Sequence, residues 1–129
     1  MALHTAEVFS SVLRLNVTTM VREVLQQGLQ VQRLPWRVSV RRGGPAKRAC
    51  AAIRLTRLEL GLSLTEMARA LGVSPPRVAE IERGEKLLKL DSACKVARVL
   101  RLPERRVAQW VLQDAVSRAC TTRLVVTLR

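Results

Sequence analysis

Three charged residues frame the chemistry open to this chain. Arg77, Glu80 and Arg83 stand at i, i+3 and i+6, so a helix over residues 75–83 presents all three on one side. A guanidinium fork matches the two acceptors on the major-groove edge of guanine, and Arg77 is the best single candidate for such a contact. Bond-making chemistry has no comparable set. His4 is the one histidine, there is no tyrosine, and no nucleophile stands in pattern with a base. Cys50, Cys94 and Cys120 are odd in number and widely spaced, without a CxxC or Cys/His cluster, which fits reduced thiols in a cytosolic protein rather than a metal site. Gly43-Gly44-Pro45-Ala46-Lys47 lacks the second glycine of a phosphate-cradling loop and the Ser or Thr after its lysine. The sequence thus predicts no enzyme, no metal and no cofactor.

The elements that must position the charged trio occupy residues 61–84. Ser63 is an N-cap with Glu66 three residues on, the spacing of a capping box. Met67, Ala68 and Leu71 form a narrow inward face, and Gly72 suits a left-handed helix end. Ser74 caps a second helix, whose first positions tolerate Pro75 and Pro76 because their amides would lack intrahelical partners anyway. Val78 and Ile81 face inward, and Gly84 ends the helix. The small Ala68 lets the two helices cross closely. Such a pair, with one face of its second helix exposed, has the geometry of a helix-turn-helix.

Residues 53–102 resemble the Cro/repressor class of helix-turn-helix proteins, the XRE family. The resemblance is carried by Gly61-Leu62-Ser63, Met67-Ala68, Leu71-Gly72-Val73-Ser74, Val78, Ile81-Glu82-Arg83-Gly84, Leu90, and Ala97 to Leu102. It implies a compact bundle of about five helices that binds operator DNA, usually as a dimer. It also implies a semi-buried ion pair between Arg57 and Glu82, for which ordinary solvation is the alternative. Two positions depart from the family pattern. Leu64 replaces a common phosphate-touching Gln, and Pro75 and Pro76 replace polar base-reading residues. Readout would then rest on Arg77, Glu80 and Arg83, or on DNA shape.

Charge points the same way. The formal net charge is +13, with 23 basic residues. The excess peaks in residues 41–60, just before the helix pair. A basic surface favours polyanions, nucleic acid above all, although an arginine-rich composition also follows from a GC-rich coding sequence. The stretch 43–49 reads as a basic linker broken by Gly43, Gly44 and Pro45. Its flanks, Arg41, Arg42, Lys47 and Arg48, are candidates to follow a phosphate backbone, against the alternative of a solvated hinge. Thr65, Ser74, Lys86 and Lys89 are further phosphate candidates, the lysines being equally readable as plain surface residues. Phe9, Trp36 and Trp110 are too few for single-strand stacking, and Trp110 reads as core.

The fold predicted is mainly α: a five-helix repressor-like domain over 50–116, an N-terminal extension 1–42, and a C-terminal strand in 117–129. In the domain, Ile53 and Leu58 face inward from a helix over 50–60. Asp91 or Ser92 begins a fourth helix with Ala93, Val96, Ala97 and Leu100 inside. Pro103 begins a fifth with Val107, Trp110, Val111 and Ala115 buried. Residues 5–28 are helical by spacing (Val8, Phe9, Val12, Leu13, then Val17, Met20, Val21, Val24, Leu25), with Asn16 a possible internal cap and Gly28 a stop. This segment packs on its own domain or makes a dimer; both readings stand. Two-residue alternation in 29–42 suggests strands, from Leu29 and Val31 and again from Trp36, Val38 and Val40. Segment 36–41 is expected to pair with 123–128, within the chain or across a dimer.

The functional expectation is a sequence-specific DNA-binding regulator, a cytoplasmic homodimer with recognition helix 75–83 in the major groove of double-stranded DNA. Neither a secretory signal nor a membrane-spanning run is read in the sequence. The alternative is an antitoxin-like interaction module, holding a protein partner through residues 1–40 and using its helix-turn-helix for autoregulation. Non-specific nucleic-acid binding is a third reading, kept open by the proline pair.

Overall fold

The structure, a computed structural model, describes residues 3, 17–43, 48–120 and 123–129. Among them run six α-helices: α1 (Val17–Val31), α2 (Ala49–Glu59), α3 (Leu64–Leu71), α4 (Pro75–Glu82), α5 (Ala93–Leu100) and α6 (Glu104–Ala119). A 3-10 turn, Leu90–Ser92, precedes α5, and two strands, β1 (Val38–Arg42) and β2 (Leu124–Leu128), complete the set. The expected helix over 5–16, its cap Asn16, and Lys47 lie outside the described residues. The chain divides into two compact units, residues 1–46 with 115–129, and residues 47–114.

In the first unit, Val17, Val21, Leu25 and Leu29 recur every four residues and are all buried along α1. Each contributes roughly 1.5–3 kcal/mol by leaving water. This corrects two expectations. Gly28 does not stop the helix, which continues to Val31, and Leu29 and Val31 are not in a strand. Leu29 is the last step of the four-residue stripe, fully buried, whereas Val31 is 78% exposed. The alternation seen from 29 to 32 was the frayed end of a helical period. The stop comes at Arg33, whose φ is +56°. Leu34 N donates to Leu29 O and Arg33 N to Gln30 O, the paired bonds of a left-handed helix end.

The two strands pair antiparallel within the chain, Val38 opposite Leu128 and Arg42 opposite Leu124. Arg37 and Arg129 extend the ladder by exchanging both backbone bonds, while Trp36 stays outside it. Leu124, Val126 and Leu128 are buried on alternate positions of β2. Gln26 holds α1 to the outer edge of β1: its amide donates to Trp36 O at 3.2 Å, and its carbonyl accepts from Val38 N at 2.9 Å. One side chain thereby supplies both halves of a strand-like bridge.

In the second unit α3 packs on α4 and α5, and α2 on α4 and α5. Ala52, Ile53, Met67, Ala68, Val78, Val96, Ala97 and Leu100 form the core. Leu58 is not in it. It is 53% exposed, because the inward stripe of α2 runs through Ala49, Ala52 and Ile53 to Arg57 instead. On α6, Val107, Trp110 and Val111 are buried as expected, but Ala115 is only half-buried. The stripe from Val107 continues at its seventh residue, Asp114, rather than its eighth. Asp114 Oδ1 accepts from Ala49 N at 3.0 Å and from Arg48 Nε at 3.3 Å. Arg48 is the N-cap residue of α2 yet makes no side-chain cap, so a carboxylate from α6 provides one.

Four helix ends in this unit share one construction. Gly61, Gly72, Gly84 and Arg101 all have positive φ, and the residue after each donates to a carbonyl five positions back. Glycine adopts this conformation without strain; Arg101, like Arg33, adopts it against its Cβ.

Candidate nucleic-acid interface

Residues 63–84 build the site. Ser63 Oγ accepts from Glu66 N at 3.0 Å and opens α3; Gly72, with φ +72°, closes it. Ser74 Oγ accepts from Arg77 N at 3.4 Å and opens α4, with both prolines in its first turn. Val78 is 1% exposed and pins α4 to the core. Behind it, Arg57 on α2 grips Glu82 through two bonds, Nε to Oε1 at 2.6 Å and Nη2 to Oε2 at 3.2 Å. Arg57 Nη1 also donates to Leu62 O at 2.7 Å, so the same guanidinium fastens the α2–α3 turn. Both side chains are nearly excluded from water. The backbone of α4 is therefore held from within, and rigidity there fixes where its outer side chains point.

The outer face carries Arg77, Glu80 and Arg83. Arg77 is exposed and Glu80 half-buried, with Nη1 and Oε2 4.0 Å apart. Arg83 is the C-cap residue of α4, one place beyond the helix proper. It is exposed and paired through two bonds with Glu85, Nε to Oε1 at 2.9 Å and Nη2 to Oε2 at 3.1 Å. That hydrogen-bonded contact holds the Glu85 carboxyl below its ordinary titration range and raises Arg83 further. Lys86 and Lys89 follow in the loop, both exposed, and Thr65 is exposed in the first turn of α3. Arg77, Arg83, Lys86 and Lys89 against Glu80 and Glu85 make this a cationic but not uniformly cationic surface.

The other phosphate candidates are placed differently. Arg48 belongs to the same unit, where it pairs with Asp114. Arg41 and Arg42 are exposed on β1 in the other unit. Spacing did not disclose Glu85 as the partner of Arg83, since the chain has left the helix there. Asp114 had a readable signal: it is the one acid on the apolar stripe of α6.

Among the described residues, no group of three His, Cys, Asp or Glu side chains could hold a metal, and no helix is long and apolar enough to cross a membrane. What the site offers is a fixed helix bearing hydrogen-bond donors, next to a second helix across a three-residue turn. This is a helix-turn-helix DNA-binding unit. A helix-turn-helix family model matches residues 53–107, and this part of the chain is an XRE-type helix-turn-helix domain. Among solved structures, it is similar to the Clp gene regulator ClgR from C. glutamicum, at 30% identity over 57% of this chain and 91% of that one, with a TM-score of 0.43. No curated protein matches the chain.

Proposed function

We propose that the chain is a sequence-specific transcriptional regulator that lays α4 in the major groove of duplex DNA, as a homodimer. Arg77 reads a base with Glu80 beside it, and Arg83, one place beyond the helix, reaches for a phosphate at the groove edge. Thr65, Ser74, Lys86 and Lys89 contact phosphates, and the released counterions supply most of the affinity. The observation that carries this reading is the division of labour on α4. Its inner side is locked by Val78 and the Arg57–Glu82 pair, while Arg77 and Arg83 stand in water. With prolines at its first two positions, α4 has its first donor-bearing side chain at Arg77. The site read is therefore short, and shape contributes the remainder. The β1–β2 pairing is satisfied within one chain, so the homodimer is supported by the family resemblance rather than by a shared sheet.

Selection of bound sequences from random duplexes, at two salt concentrations, tests the proposal. The expected outcome is a palindromic consensus whose half-sites mirror a dimer. Enrichment of no sequence at either salt concentration would reject sequence-specific regulation.

A further inference from the structure

A groove of about 360 Å³ opens beside α4, and part of its floor is apolar. The inward residues of the helix pair divide sharply. Met67, Ala68 and Val78 are at most 2% exposed, but Leu71 and Ile81, at the same helical phases, remain half-buried. Both line the groove, together with Val73 and Leu87, which are 41% and 38% exposed. Gathering of exposed apolar side chains in one concavity marks a contact site rather than scattered surface. The rim is cationic: Arg77, Lys89 and Lys95, with Asp91 the one acid in the lining.

We propose that this groove takes an acidic amphipathic helix from a protein partner, and that the partner and DNA exclude one another. The apolar floor suits the apolar face of a helix, and the three cations match carboxylates flanking that face. Arg77 makes the exclusion direct. It lines the groove and is also the residue assigned to base reading, so its guanidinium serves one ligand at a time. Its 4.0 Å contact with Glu80 is loose and exposed, and is given up at little cost. The exclusion rests on the DNA-binding reading above; occupancy of the groove does not.

The test uses the full chain and a fluorescein-labelled helical peptide with Leu at i, i+4 and i+7 on a face bordered by Asp and Glu. Anisotropy should report saturable binding, weakened at least tenfold by Lys95→Glu and by Leu87→Ser. Arg69→Glu, an exposed α3 position outside the groove lining, makes the same charge change and should weaken binding no more than twofold. An unlabelled random-sequence duplex should displace the peptide, and Leu87→Ser should bind that duplex as the parent does. Absence of peptide binding, or equal losses from Lys95→Glu and Arg69→Glu, overturns the groove assignment. A ternary complex of chain, peptide and duplex overturns the exclusion. Peptide binding by a chain that ignores every duplex would sink the regulator reading while leaving the groove intact.

Discussion

The two sides of α4 use the same pair of residue types to opposite ends. Inside, Arg57 and Glu82 are 9% and 6% exposed and joined by two bonds. Outside, Arg77 and Glu80 are 43% and 34% exposed and stand 4.0 Å apart. Arg48–Asp114 lies between these extremes, with an exposed arginine and a buried acid, and Arg83–Glu85 is more exposed than Arg77–Glu80. A buried pair is costly to break because the surviving charge is stranded away from water. An exposed pair is screened and exchanges freely with solvent or with another ion. Burial therefore sorts these contacts into those that hold the helix and those available to a ligand.

The largest effect is expected at the buried end. Glu82→Gln leaves the Arg57 guanidinium without its counter-charge and should cost about 3–5 kcal/mol, read as a lowered denaturation midpoint. Replacing both residues with apolar ones of similar volume should cost less than the two single changes added together. A midpoint unmoved by Glu82→Gln would show that burial does not rank these pairs.

Next comes the half-buried pair. Asp114→Ala removes the acceptor for Ala49 N and leaves that buried amide unsatisfied, at a cost of about 1–3 kcal/mol. Arg48→Ala leaves the buried Asp114 carboxylate without its counter-charge but still accepting from Ala49 N, so it should cost less than Asp114→Ala. Chemical denaturation of both variants checks the asymmetry. Equal losses would mean that the ion pair, rather than the cap, is what Asp114 contributes.

How much of this was legible in the sequence follows from how far apart the partners lie. Ser63, Gly72, Ser74 and Gly84 act on backbone within five residues of themselves, so the helix pair and its turn could be read directly. The pairing of the two β segments was readable from alternation and β-branched content, but its register was not: β1 begins at Val38, leaving Trp36 outside. Leu58 failed because α2 places a paired arginine at an inward position where an apolar residue is the default choice. Arg33 and Arg101 carry no local mark of a left-handed helix end, since that signal belongs to glycine. Asp114 and Ala49 are joined over a separation that no periodicity spans. Of the candidate site, the outer face of α4 could be read from helical phase. The loose and tight pairings of its arginines could not, because Glu85 is set by the course of the loop.

On the outer face, stability and binding should separate. Arg77→Ala is expected to change folding stability by less than about 0.5 kcal/mol, as an exposed substitution away from special features. It should cost about 1–3 kcal/mol of discrimination at one base pair. Competition between the selected duplex and single-base variants measures this. Equal losses on selected and random duplexes would move Arg77 from base reading to phosphate contact.

The smallest stability effect, and the sharpest contrast with Glu82, belongs to Glu85→Gln. Both Arg83 and Glu85 are in water, so their charge pairing adds little to the fold, and the thermal midpoint should stay where it is. Binding should respond instead. Glu85 now occupies both the Nε and Nη2 donors of Arg83, and it places a negative charge on the face assigned to DNA. Removing that charge frees a guanidinium to neutralise a phosphate. The slope of log affinity against log salt should then steepen by about 0.9, the value for one further phosphate contact. Affinity should rise on selected and random duplexes alike, since a phosphate contact carries no sequence information. An unchanged slope would mean that Arg83 does not reach the backbone, and a gain confined to the selected duplex would make it a base-reading residue beside Arg77.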